Sequence, residues 1–212
     1  MTSTINPNEV LQRIYDLYSD LPDPTTNTWL TRFVELDEPN VWHILIEILI
    51  SNQTIITDSA RFFAAQGLIL KVSSSAKGEQ IWSKCDSNIK GRLLQCTFQM
   101  LTSANTPSVS VLLGRRLTLL LCHLVLRVGM TQAWPAPFVD IFRSFSTPKS
   151  KLWLVEFLTM FPYEIDSHNY NDPIRKVSIA TRSRLYVLPR ALNQINQLLL
   201  SGNEEGRKAA CK

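Results

Sequence analysis

The side chains that most often perform catalysis or bind metals are scattered through this sequence rather than grouped. The three histidines, His43, His123 and His168, are far apart, and none has a carboxylate at the helical spacing of a ligand pair. A glycine-rich phosphate loop is absent, as are the GxSxG and HExxH motifs. We therefore predict no catalytic residue, no metal site and no cofactor. A helical-bundle enzyme with an unrecognised site is one alternative.

The cysteines also lack the spacing of a redox or zinc site, because no two of them form a CxxC pair. Two of them, Cys96 and Cys122, fall on apolar faces of predicted helices. This position favours reduced thiols packed in a core. The other two are Cys85 and Cys211.

The most apolar segment of the chain follows Thr106-Pro107, a hydroxyl N-cap and a proline at the first helical position. It predicts a helix over 107–128 that ends at Gly129. Apolar residues recur at helical spacing on two of its faces, so we expect neighbouring helices on both sides. One face contains Leu113, Leu117, Leu120, Leu121, Leu124 and Val128, the other contains Leu112, Leu119 and Leu126, and a narrower polar stripe contains Arg116, His123 and Arg127.

Composition and turn signals favour an all-α protein. Hydrophobic residues make up 45% of the chain, only seven residues are glycine, and alternating apolar and polar runs are rare. Prolines and polar turns divide the sequence into about five helix pairs, whose starts are roughly 35 to 50 residues apart. This spacing predicts an α-solenoid of HEAT- or armadillo-like repeats over residues 1–200, followed by a polar tail over 201–212. An irregular helical bundle is the competing interpretation.

Two further helices are predicted on either side of the apolar segment. The first runs from about Thr54 to Val72. The second runs from Leu152 to Phe161, and Pro162 is expected to end it because an internal proline loses a backbone hydrogen bond. A loop is predicted over 163–170.

Charge and hydropathy argue against nucleic-acid and membrane binding. The net charge is +4 without any block of like charges, so we do not expect direct contact with nucleic acid. The apolar run from Leu117 to Leu126 is too short for a bilayer, which takes about 20 residues, and the N-terminus lacks the pattern of a signal peptide. The Arg115-Arg116 pair either binds an anion or forms a solvated helix edge.

Three segments together resemble the N-terminal region of an importin-β-superfamily nuclear transport receptor, or karyopherin. They are SARFFAAQGLILKV at 59–72, LLGRRLTLLLCHLVLRVGMTQAWP at 112–135 and WLVEFLTMFPYEI at 153–165. The chain is most similar to the transportin-SR and importin thirteen branch, over about residues 8 to 200, with an importin-like block at about 107–165. Members of the family are several times longer than this chain.

The resemblance implies a receptor without enzymatic activity that acts in the cytoplasm and the nucleus. Karyopherins wrap protein cargo and bind the small GTPase Ran in its GTP form, and nucleoporins are further partners. The inner helices of the N-terminal repeats hold Ran first, which places the contact here on 54–72 and 107–128. A generic helical-repeat scaffold without transport activity is the other alternative. The candidate Ran-binding residues on the polar edges of these helices are Arg61, Gln66, Lys71, Arg115 and Arg116.

Overall fold

The computed structural model describes residues 5–19, 23–36, 38–51, 56–73, 76–102, 109–129, 131–132 and 134–167, together with short pieces between 177 and 196. This part of the chain is helical and contains no strand of a sheet, so the all-α prediction is confirmed. Isolated bridges join Trp134 to Gly129 and to Thr131. The helices are α1 (Pro7–Leu17), α2 (Pro24–Glu35), α3 (Pro39–Ile50), α4 (Asp58–Val72), α5 (Ala76–Lys84), α6 (Ser87–Thr102), α7 (Val111–Val128), α8 (Pro137–Ser144) and α9 (Pro148–Ser167).

Local signals explain where most of these helices begin. Proline occupies the first helical turn of α1, α2, α3 and α8, where its missing N–H costs no hydrogen bond. The Asn6 and Asp23 side chains cap α1 and α2 by accepting backbone N–H bonds from Asn8 and Thr25. These caps fix the helix starts from residues adjacent in sequence.

Two predicted helix starts were wrong because a later hydroxyl provides the cap. The helix predicted from Thr54 begins at Asp58, since the Thr57 side chain accepts the N–H of Ala60 at 3.2 Å. The helix predicted from Pro107 begins at Val111, where the Ser110 hydroxyl accepts the N–H of Leu113 at 3.4 Å. Thr54, Thr106 and Pro107 themselves lie outside the described residues, as does the tail predicted over 201–212.

Both predicted ends of the helix at 152–161 were also wrong, because α9 begins at Pro148 and continues through Pro162 to Ser167. Much of the loop predicted over 163–170 is therefore helical. Phe161 and Ile165 on either side of the proline are 0% and 5% exposed. Burial of these two side chains holds the last turn of α9 in the helical conformation despite the lost hydrogen bond.

Helix α7 forms the centre of the core. It packs most extensively against α4 and α9 and also contacts α6. Every side chain from Leu120 to Leu126 is buried, which confirms the expected neighbours on two sides over this half of the helix. At its other end the expectation was wrong, because the Leu112 side chain is 68% exposed.

Helices α3 and α4 form an antiparallel pair. Arg61, near the start of α4, contacts the carbonyl oxygen of Ser51 at the end of α3. Lys71, near the end of α4, lies 5.2 Å from the ring of Trp42 near the start of α3. The start of α4 therefore lies beside the end of α3, and the end of α4 lies beside the start of α3.

Helices α2 and α4 are parallel neighbours. Val34 packs against Gly67, and the carbonyl oxygen of Leu36 lies 2.6 Å from the Nζ of Lys71. Both contacts advance along the two helices in the same direction. Gly67 permits the close approach, because a Cβ atom there would lie 3.2 Å from the Val34 side chain.

Helices α4 and α7 are also parallel. The guanidinium of Arg116 lies 5.3 Å above the Phe62 ring, and Arg127 donates to the carbonyl oxygen of Val72. The first contact joins the N-terminal halves of the two helices, and the second contact joins their C-terminal ends.

Helix α9 continues this layer on the other side of α7. Trp153 packs against Gly114 near the starts of the two helices, and Glu164 lies 3.7 Å from His123 near their ends. The structure thus aligns α2, α4, α7 and α9 in one direction. Helices α3 and α6 lie in a second layer, joined by the Arg92–Glu47 ion pair.

Candidate functional site

Three neighbouring parallel helices present one continuous, partly exposed surface, which we call the front face. Its residues repeat at three- and four-residue spacing along each helix, so they share one side of it. Contacts between Phe62 and Arg116 and between Arg115 and Glu156 join the three helices. The front face comprises Phe62, Gln66 and Leu70 of α4, Leu112, Arg115, Arg116 and Leu119 of α7, and Glu156, Met160 and Tyr163 of α9.

Arg116 and Gln66 lie on the front face, where α4 and α7 are in contact; we call this boundary a seam. The half-buried guanidinium of Arg116 lies over the face of the Phe62 ring. The attraction between the guanidinium and the ring limits the movement of the Arg116 side chain. Gln66 follows Phe62 by one turn, and its Oε1 is buried without a hydrogen-bond partner in the described part of the protein. This seam holds two of the five residues predicted from sequence.

Arg115 lies at the seam between α7 and α9. Its Nε donates to the Glu156 carboxylate at 3.1 Å, and the Arg115 and Glu156 side chains are 39% and 21% exposed. The partner carboxylate lies 41 residues further along the chain, so local spacing gave no signal for it. Arg115 is therefore oriented and still reachable from solvent.

The other two predicted residues do not lie on an exposed polar edge, and that expectation was wrong. Lys71 is 1% exposed and donates from Nζ to the Leu36 carbonyl oxygen. Arg61 is 9% exposed, donates to the Ser51 carbonyl oxygen at 2.9 Å and lies 3.5 Å from Asp58.

A common physical reason explains this placement. The last carbonyl groups of a helix accept no hydrogen bond within the helix and carry partial negative charge. A cationic side chain donates the missing hydrogen bond and also offsets the charge. Lys71 caps the end of α2, and Arg61 caps the end of α3. Arg127 repeats the arrangement at the end of α4, where it donates to Val72 and Ser73.

Large apolar side chains on the front face were not singled out from the sequence. Leu70, Leu112 and Tyr163 are 53%, 68% and 77% exposed, and each belongs to a different helix of the face. Exposed apolar and aromatic groups beside arginine are typical of protein interfaces. The helical spacing of Leu112 with Leu119 and Leu126 predicted a covered side chain, because periodicity cannot show where a neighbouring helix ends.

A cluster of titratable side chains, His123, Glu164 and Cys122, lies behind this face, between α7 and α9. Burial lowers the pKa of His123 to about 4, with a further contribution from Arg127, while burial raises the pKa of Glu164. The 3.7 Å contact between His123 and Glu164 is therefore not an ion pair at neutral pH. Burial also raises the pKa of the neighbouring Cys122 thiol, with Glu164 adding to the effect. A thiol with a raised pKa is a weak nucleophile, because little of it is present as thiolate.

Cysteine packing agrees with the sequence prediction where the structure describes it. Cys96 and Cys122 are buried free thiols, and burial raises the pKa of Cys96 to about 12. Cys85 is a half-buried free thiol. Cys211 lies outside the described residues.

The described residues contain no group of three or more histidine, cysteine or acidic side chains placed to hold a metal ion. Among the helices in the described ranges, none combines the length and hydropathy of a membrane span. Comparison with models of known protein families gives no match, and no significant match is found among curated proteins.

Proposed function

We propose that this chain is the N-terminal HEAT-repeat part of a nuclear transport receptor, and that its front face binds Ran in the GTP form. The observation that carries the proposal is the common direction of α2, α4, α7 and α9. Equivalent helices of successive repeats run in the same direction when helix pairs stack into a solenoid. An irregular bundle has no such requirement.

The order of contacts along the chain also supports a stack of repeats. Each helix of the layer packs against the next one, from α2 to α4, from α4 to α7 and from α7 to α9. Helix α3 is antiparallel to α4, and helix α6 contacts both α3 and α7. These contacts support a stack of helix pairs, in which each pair buries its apolar side against its neighbour.

The three segments that resemble karyopherins converge on the front face. Segment 59–72 forms most of α4, segment 112–135 contains most of α7, and segment 153–165 lies within α9. These three helices are adjacent in the same layer. Segments separated by tens of residues therefore meet in one surface, which is the placement that a shared binding function needs.

The chemistry of the front face suits recognition of a folded protein. Oriented Arg115 and Arg116 provide guanidinium donors for carboxylates, and Leu112 and Tyr163 provide apolar contact area. No bond is made or broken in this mechanism. A receptor that binds the GTP form more tightly than the GDP form couples nucleotide state to cargo affinity, in the cytoplasm and the nucleus.

Titration of the purified chain against Ran loaded with GTP or GDP, followed by fluorescence anisotropy, tests this function. We expect weak binding with preference for the GTP form, since Arg61 and Lys71 are engaged within the fold. Arg116→Gln is expected to reduce the affinity about tenfold by removing an oriented cation from the interface. Arg115→Gln is preferable to charge reversal, because a carboxylate at position 115 would face Glu156.

Arg92→Gln is the matched control, because Arg92 belongs to α6 and pairs with Glu47 in the other layer. It changes the net charge equally and is expected to leave the affinity unchanged. Equal affinity for the two nucleotide states would remove the receptor mechanism and leave a generic protein-binding scaffold. The same conclusion would follow if neither state bound at high micromolar concentration.

A further inference from the structure

A second exposed surface follows α9, on helical pieces between residues 177 and 185. Ile179 and Ser183, one turn apart, are 0% and 8% exposed and fix one side of these pieces against the core. The opposite side faces solvent, and its residues also recur at three- and four-residue spacing. We call this side the C-terminal stripe. It comprises Val177, Thr181, Arg184 and Leu185.

Two large apolar side chains lie on the C-terminal stripe. Val177 and Leu185 are 64% and 67% exposed. Their spacing of eight residues corresponds to about two helical turns, which is also a spacing of apolar side chains on an amphipathic helix. The stripe therefore offers apolar contact area to a second helix that lies alongside it.

The segment that contains this stripe has a surplus of positive charge. Five of the 22 lysine and arginine residues fall between positions 173 and 203, and none of the 18 acidic residues does. The rest of the chain, with 17 basic and 18 acidic residues, is close to neutral. The longer span 164–212, with eight basic and five acidic side chains, still has a surplus of three positive charges. An acidic partner is therefore attracted to this end of the chain.

Arg184 brings this positive charge to the C-terminal stripe itself. Its side chain is exposed and has no ion pair or hydrogen bond among the described residues. Arg190 is a second exposed cation of the same segment, and its guanidinium lies 6.0 Å from the Phe142 ring of α8. The described part of the segment thus combines exposed guanidinium groups with exposed aliphatic side chains.

We propose that the C-terminal stripe binds an acidic amphipathic helix of a partner protein. Apolar residues of that helix pack against Val177 and Leu185, and its carboxylates accept hydrogen bonds from Arg184. A second copy of this chain is disfavoured, because its own stripe lies in an equally basic segment. Aliphatic side chains add nothing to contacts with nucleic-acid phosphates, which favours a protein partner. This surface lies outside the front face and does not depend on the proposed binding to Ran.

The test uses the full chain and a fluorescein-labelled peptide of three Leu-Glu-Glu-Leu-Leu-Glu-Glu repeats, followed by fluorescence anisotropy. In a helix, this peptide has leucines on one side and carboxylates on the other. We expect saturable binding that weakens as the salt concentration rises. A scrambled peptide of the same composition, and the same repeat with glutamine in place of glutamate, are each expected to bind about tenfold more weakly.

Arg184→Gln and Leu185→Ala are each expected to weaken the binding of the acidic peptide about tenfold. Arg32→Gln is the matched control for charge, because Arg32 is an exposed arginine of α2. Leu112→Ala is the matched control for apolar area, because Leu112 is 68% exposed on the front face. Both controls are expected to leave the affinity unchanged.

The absence of saturable binding at high micromolar peptide would overturn the proposal, and so would equal binding of the scrambled peptide. Equal weakening by Arg184→Gln and Arg32→Gln would show a general charge effect rather than a site. Tighter binding to phosphatidylserine vesicles or to single-stranded DNA would assign the basic segment to a membrane surface or to nucleic acid instead. A dimer that Leu185→Ala dissociates would assign the stripe to a second copy of the chain.

Discussion

The Nζ of Lys71 lies 2.6 Å from the carbonyl oxygen of Leu36, and this contact joins α4 to the end of α2. Lys71 is 1% exposed, and its ammonium also faces the Trp42 ring at 5.2 Å. A residue that sequence placed on a binding edge therefore stabilises the packing of α4 against α2.

We expect Lys71→Met to destabilise the protein by about 1–3 kcal/mol, because it leaves the Leu36 carbonyl without this hydrogen bond. Urea unfolding followed by circular dichroism measures the change. Arg143→Met is the control, because Arg143 is exposed near the end of α8 and its removal is expected to cost under about 0.5 kcal/mol. Similar free energies of unfolding for the two variants would contradict the capping role of Lys71.

Leu121→Ala is expected to cost about 2–5 kcal/mol, because Leu121 is 0% exposed between the neighbours of α7. Leu112→Ala in the same helix removes the same atoms from a side chain that is 68% exposed, and we expect a change within about 0.5 kcal/mol. The burial of Leu120, Leu121 and Leu124 predicted from sequence is confirmed. Equal losses in the two variants would show that the packed side of α7 is assigned wrongly.

Two glycines in neighbouring helices should respond in opposite ways to alanine. At Gly114, a Cβ atom would overlap the Trp153 ring, so Gly114→Ala forces α7 and α9 apart. We expect a net loss of about 1–3 kcal/mol in thermal or urea unfolding. At Gly91, nothing lies within 4 Å of the added atom. Gly91→Ala is expected to gain up to about 1 kcal/mol through helix propensity, and a gain at Gly114 would refute the close contact of α7 with α9.

The pH dependence of stability should report the burial of His123. Its folded-state pKa of about 4 lies below its ordinary value of 6.5, so the unfolded chain binds the extra proton first as the pH falls. The stabilisation is fully present above about pH 6.5 and is lost towards pH 4. The raised pKa of Glu164 acts in the opposite direction, because its protonated form is favoured in the folded state.

We expect the wild type to lose about 2 kcal/mol relative to His123→Gln between pH 7 and pH 5. The measurement is the difference between the free energies of urea unfolding of the two proteins at each pH. Taking this difference removes the contributions of groups that titrate equally in both. Parallel pH profiles would show that His123 is accessible to protons in the folded state.

The sequence by itself determined the helical class and the buried side of α7. Proline and capping side chains act on backbone groups within three residues, and helical periodicity reports which side is apolar. Both signals are local, and the Asn6 and Asp23 side chains cap α1 and α2 without a contact from any neighbouring helix. The same locality explains the errors at Thr54 and Pro107, since a hydroxyl a few residues later caps the helix equally well.

Only the tertiary structure decided which charged side chains are inside and which remain available for binding. Lys71 and Arg116 look alike in sequence, as cations on apolar helices. Lys71 meets the unsatisfied end of α2, while Arg116 meets the Phe62 ring at a partly open seam. The difference depends on where neighbouring helices end, and contacts across tens of residues set those positions. Local propensity does not encode that geometry, because it arises when the apolar sides of successive helix pairs are buried together.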